Sequence, residues 1–161
     1  MLDLVQDVLQ CLAQRNLTLA VAEGDTGGLL LERLTAEPGS SAVILGGVVA
    51  YADTLKSHLL EVSPDLLRQH GAVSAAAAQA MAAGVRRLAG ADIGLATTGI
   101  AGPRGATPTK PVGLAYVAAA NAEMVLVREH RWNGDRGANR QSSAEAAVAL
   151  LHELLDNAGH L

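Results

Sequence analysis

Apolar residues recur at Leu2, Val5, Leu9 and Leu12 with Asp, Gln and Arg between them, a spacing that predicts an amphipathic helix over 2–15. A short apolar run, 17–22, then reads as a buried strand, and 23–28 as a glycine-containing turn. A helix follows to about Leu34, until Pro38-Gly39 breaks the chain. The stretch 42–51 is apolar throughout except for Gly46-Gly47, the pattern of a central strand approached closely by other backbone. Asp53 or Thr54 is placed to cap a helix reaching about Leu60. Ser63-Pro64 opens a short helix, and Ser74 an Ala-rich one to about Leu88. Residues 92–98 read as a strand, 99–113 as a Gly/Pro-rich loop, and 114–120 with 124–132 as a hairpin turning at Asn121-Ala122-Glu123. The last helix is expected from about Arg136 to Leu155. The alternation implies an α/β fold: three α/β/α layers around a mixed, mostly parallel sheet, in one domain over 1–161.

Composition narrows the picture. Half of the 161 residues are hydrophobic, yet there is no Phe, one Trp and two Tyr, so the core must be aliphatic. The net charge is −4 with scattered basic residues, which argues against a nucleic-acid partner. The single cysteine, Cys11, excludes an internal disulfide framework and falls at heptad spacing from Leu4, as a packing residue would. The amino terminus has no basic segment ahead of its apolar residues, and no apolar run reaches membrane-spanning length. The expectation is a cytoplasmic protein without a membrane partner.

Three loops, each at the carboxyl end of a predicted strand, lie where open α/β sheets place their ligands: 23–28, the strand end and helix start through Lys56, and 98–103. In the first, Gly27-Gly28 opens directly into a helix, whose free amides suit an anion or a developing oxyanion. Taken alone, the same residues better describe a tight turn capped by Asp25 or Thr26. The third spaces Gly99, Gly102 and Gly105 as G-x-x-G-x-x-G, either a ligand cradle or a plain connection. Both of the chain's lysines, Lys56 and Lys110, adjoin these loops, against ten arginines elsewhere. Lys56 falls in the first turns of a helix, whose positive end disfavours an ammonium, so it is a candidate to take a proton from a hydroxyl nucleophile. The other reading is a snorkelling surface lysine. Arg136 starts the last helix, either as a phosphate ligand or as an exposed arginine. His58 and Glu61 read as an exposed helix pair, and His70, His130, His152 and His160 are isolated, so no metal site or cofactor is expected.

The segments Ala22-Glu23-x-x-Thr26-Gly27-Gly28, Pro38-Gly39-Ser40-Ser41, Gly46-Gly47-Val48-Val49-Ala50-Tyr51, His70-Gly71-Ala72-Val73-Ser74, Thr98-Gly99-Ile100-Ala101-Gly102-Pro103, Lys110-Pro111-Val112-Gly113 and Gly134-Asp135-Arg136 occur in order. Together they resemble the CinA C-terminal domain family, also called PncC or nicotinamide mononucleotide (NMN) amidohydrolases. The resemblance implies metal-free hydrolysis of the NMN carboxamide to nicotinic acid mononucleotide and ammonia, with a pyridine mononucleotide as ligand and a homodimer as assembly. It also implies a lysine base at Lys56, with Tyr51 and Thr98 beside it. Asp25, Thr26, Gly27, Ser41, Gly99, Ala101, Gly102 and Arg136 would line the substrate site. The family's pattern A-E-S-C-T-G-G places its nucleophilic serine where this chain has Gly24, and a cysteine where it has Asp25. A glycine cannot attack a carboxamide carbon. Three functions remain: an impaired enzyme that keeps its ligand pocket, an active amidohydrolase using another hydroxyl or an Asp25-positioned water, and a non-catalytic assembly or regulatory protein.

Overall fold

The computed structural model describes residues 2–159, so Met1, His160 and Leu161 lie outside the described residues. The elements are α1 (Leu2–Gln14), β1 (Leu19–Glu23), α2 (Leu29–Thr35), a 3-10 turn (Ser40–Ala42), β2 (Ile44–Val49), α3 (Asp53–Leu60), α4 (Pro64–His70), α5 (Ala75–Ala89), β3 (Ile93–Gly99), β4 (Leu114–Ala120), β5 (Val125–Arg131) and α6 (Arg136–Ala158). They form a five-stranded sheet in the order β2-β1-β3-β4-β5. β1 pairs parallel with β2 and β3, while β4 is antiparallel to both β3 and β5. Four strands therefore point one way and β4 runs against them.

Residues alternate between two faces of unlike character. Leu19, Val21, Ile93, Leu95 and Val117 pack under α1, α2 and α6. Ala20, Ala22, Ala96, Ala118 and Ala120 pack under α3 and α5. The aliphatic core is thus split into a large-residue layer and a small-residue layer. Small residues let α5 come very close: a Cβ placed at Gly94 would lie 1.9 Å from the Ala82 carbonyl oxygen, and one at Gly84 would lie 2.0 Å from that of Leu60. Cys11 packs against the large-residue layer as a small apolar side chain. In an open helix interior, Gly84→Ala would stabilise by about 1 kcal/mol. Here the sign should reverse, with a loss of roughly 2 kcal/mol in denaturant unfolding, because the methyl meets backbone that cannot yield. A variant as stable as the parent would contradict this close packing.

Two expectations are corrected. β2 is an edge strand, not a central one, and its residues alternate between half-buried and exposed. An all-apolar run does not say how many neighbours a strand has. Close approach holds at Gly47, where a Cβ would meet Val21 Cγ2 at 2.6 Å, but Gly46 has open space and a φ of +145° instead. Neither Asp53 nor Thr54 caps α3: Ala52 holds the N-cap position without a side-chain bond, and Asp53 faces Lys56 at 3.6 Å. The other caps form as expected, with Ser63 accepting from the Leu66 amide and Ser74 from the Ala77 amide. Asn121 Oδ1 accepts the amides of Glu123 and Met124 and sets the hairpin turn.

Candidate functional site

β1, β2 and β3 are adjacent and parallel, so their carboxyl ends meet at one edge of the sheet, as the crevice rule for such sheets requires. There the chain leaves an open cavity of about 230 Å³. Gly24 and Asp25 follow β1, Tyr51, Asp53 and Lys56 follow β2, Thr98 and Gly99 end β3, and Ile100 to Gly102 with Arg104 follow it. Arg136, from the start of α6, closes the fourth side. Lys56, Tyr51, Thr98, Asp25, Gly99, Ala101, Gly102 and Arg136 are thereby brought together around Gly24.

Each polar side chain is held by identifiable partners. Lys56 is 3% exposed, so it does not snorkel; its ammonium donates to the Tyr51 carbonyl at 3.3 Å. Thr98 Oγ1 donates to the Ala72 carbonyl at 2.7 Å, leaving its lone pairs free. Arg136 donates to the Gly102 carbonyl at 2.8 Å and to the Tyr51 hydroxyl at 3.2 Å, a clasp across the cavity mouth. Asp135 caps the helix beneath it through the Ala138 amide. Lys110 lies outside this cavity and staples its neighbour, donating to the His70 and Val73 carbonyls. Glu61 leaves the helix in a left-handed conformation and pairs with Arg87, not with His58.

The loop after β1 differs most from expectation. Neither Asp25 nor Thr26 caps α2; buried Glu23 does, accepting the Leu30 amide at 2.8 Å and the Leu31 amide at 3.1 Å. Thr26 is fully buried, donating to Glu23 at 2.6 Å with its hydroxyl 2.7 Å from that of Thr97. Arg140 grips the same loop through the carbonyls of Asp25 and Thr26. The amides that suggested an anion cradle are therefore occupied by the protein's own carboxylate. Thr26 and Gly27 hold the loop's shape and do not line the cavity; Gly27 takes a φ of +59° beside Arg140. Ser41 is also displaced from the site. It precedes β2 and is exposed, one six-residue strand away from the carboxyl ends, about 20 Å at strand rise.

Asp25 is the member left without a full set of partners. Its Oδ1 is buried without a hydrogen-bond partner, and Oδ2 lies 2.7 Å from where a Cβ of Gly99 would be. Burial pushes its carboxyl up from an ordinary 3.8 to about 6; an amide hydrogen bond, Arg140 and Arg136 oppose the rise, and Glu23 adds to it. Arg104, Asn139 and Arg140 have no role legible in the sequence, where Glu23 stands only as part of a loop motif and Asp53 only as a cap candidate. A lone acid ending the apolar run 19–22, just before a helix whose start offers only glycines, was the available signal for Glu23. Asn139, which donates to the Ala101 carbonyl and accepts the Gly134 amide, had no such signal.

Among the described residues, no group of three or more His, Cys, Asp or Glu side chains is placed to hold a metal ion. No helix there is long and apolar enough to cross a membrane.

Comparison with known proteins agrees with this arrangement. A CinA-like protein of Syntrophotalea carbinolica is 46% identical over 154 residues, covering 96% of this chain and 37% of the relative. One from Synechococcus is 60% identical over 110 residues, 68% of this chain and 26% of the relative. The chain thus spans little more than a third of the length of such curated relatives. The crystal structure of a competence-damaged protein (CinA) superfamily member from Klebsiella pneumoniae superposes with a TM-score of 0.93 at 35% identity, covering 97% of this chain and 98% of that one. The competence/damage inducible protein CihA from Agrobacterium tumefaciens gives 0.92 at 35% identity over 95% and 94%. Residues 2–155 match the CinA C-terminal domain, and the chain belongs to that family.

Proposed function

We propose that the cavity binds a pyridine mononucleotide, phosphate toward Arg136 and ring toward Gly24, and that the chain lacks the family's serine-dependent deamidation. The observation that carries this reading is a cavity in which three cations outnumber two carboxyls, Asp25 and Asp53, within an acidic chain. Arg136, Arg104 and Lys56 line it, the net charge of the whole is −4, and the Arg136 guanidinium is already oriented by two hydrogen bonds. The absent nucleophile follows from Gly24 itself, since the hydroxyl of Thr98 is committed to the Ala72 carbonyl. The chain is read as one CinA C-terminal-like unit over its whole length, working in the cytoplasm, where charge retains phosphorylated mononucleotides. A homodimer is part of the reading: the free β2 edge exposes Leu45 and Val49, continued by Leu55 and Leu59 of α3.

Titration calorimetry should detect NMN, and Arg136→Ala should weaken it about tenfold or more, as loss of a charged hydrogen bond does. Ammonia release from NMN should stay at background. Absence of binding would return the chain to a scaffold role, and release abolished by Asp25→Asn would transfer the reading to water attack.

A further inference from the structure

Asp25 has one carboxyl oxygen, Oδ1, with nothing to bond to, on the wall of a cavity whose other charges are mostly positive. Its Oδ1 is the one buried side-chain oxygen or nitrogen without a hydrogen-bond partner among the described residues. Arg140 and Arg136 from α6 act on it but neither side chain bonds to it; both guanidinia are engaged by carbonyls or by Tyr51. Glu23 of β1 adds a like charge, and Lys56 and Asp53 of α3 and Arg104 of the loop after β3 share the cavity wall. Gly99 is the packing partner that makes room for this carboxyl, since any side chain there would strike Oδ2. An aspartate's terminal torsion is soft, so either oxygen can turn to a donor presented from the cavity.

We propose that Asp25 is the selectivity residue of this cavity, admitting ligands that present an uncharged N–H or O–H donor, such as a carboxamide, beside Gly24 and rejecting the matching carboxylate. The proposal rests on the mononucleotide reading above and adds which form is bound. A carboxamide supplies the hydrogen bond that Asp25 lacks. A carboxylate in the same place would set two acceptors and two negative charges face to face in a desolvated corner, the like-charge pairing by which interfaces reject wrong partners. Sites with a buried polar group awaiting a partner discriminate strongly against a ligand that cannot provide it. Below a pH of about 6 the Asp25 carboxyl holds a proton and donates, so the preference for the amide should fade.

NMN and nicotinic acid mononucleotide, differing only in that group, are the probes. At pH 8 calorimetry should give tenfold or more tighter binding of NMN. At pH 5 the ratio should approach one; the phosphate titrates alike in both ligands and cancels. Asp25→Asn, which keeps the shape and can donate, should bring the ratio close to one at pH 8. Equal binding of the two by the parent protein at pH 8 overturns the selectivity role. So does an amide preference retained in Asp25→Asn. In both cases the mononucleotide reading stands if Arg136→Ala still weakens both ligands. Binding of neither ligand by the parent protein overturns both ideas.

Discussion

Gly24→Ser is expected to release ammonia from NMN at least ~10³-fold faster than the parent chain, since nucleophile loss in a serine hydrolase costs on the order of 10⁶ and reinstatement recovers part of it. The backbone at Gly24 lies outside the left-handed region, and a Cβ there has the Thr97 carbonyl oxygen at 3.1 Å and Thr98 Oγ1 at 3.7 Å. Local adjustment of a few tenths of an ångström therefore admits the side chain. The hydroxyl would open onto the cavity that Lys56 and Arg136 also line. An ammonia assay on the single variant, and on Gly24→Ser with Asp25→Cys, measures the gain. A variant that binds NMN and stays inert would show that the cavity has diverged beyond position 24.

Asp25→Asn should stabilise the fold above pH 6 by about 3 kcal/mol, the free-energy equivalent of a carboxyl pKa moved from 3.8 to about 6. Because the folded state holds this proton more tightly than the unfolded chain, stability falls as pH rises from about 4 to 6, and the full cost applies above that window. Most of the variant's advantage should accordingly be gone at pH 4. Denaturant unfolding of both proteins at pH 4 and 8 gives the comparison, and a variant no more stable at pH 8 would mean that Asp25 is satisfied by a route the structure does not display.

Much of this architecture was legible because its signals are local. Leu19 to Ala22 with Gly24, and the strand end with Thr98 and Gly99, announce strands that deliver polar loops. Parallel neighbours then bring those loops to one side, which is why Lys56, Asp25 and Arg136 were found together. What escaped was set by tertiary arrangement. An apolar β2 fits the rim of a sheet as well as its middle, since apolar residues such as Leu45 stay exposed there. Glu23 reaches amides seven and eight residues ahead, beyond the spacing of local capping patterns. Family likeness puts Ser41 in the site, although its position just before β2, which runs parallel to β1, assigns it to the far end.

The Glu23 and Arg140 contacts carry a consequence for how this site can change. They reach past positions 24 and 25: Glu23 fixes Thr26 and the start of α2, while Arg140 grips carbonyl oxygens that any amino acid supplies. The loop's frame is thus independent of the two side chains it presents, and those behave as interchangeable parts on a rigid mount. A hydroxyl can be exchanged for a hydrogen, or a thiol for a carboxyl, while the mount keeps its shape, so one scaffold can move between turning over a ligand and merely holding it.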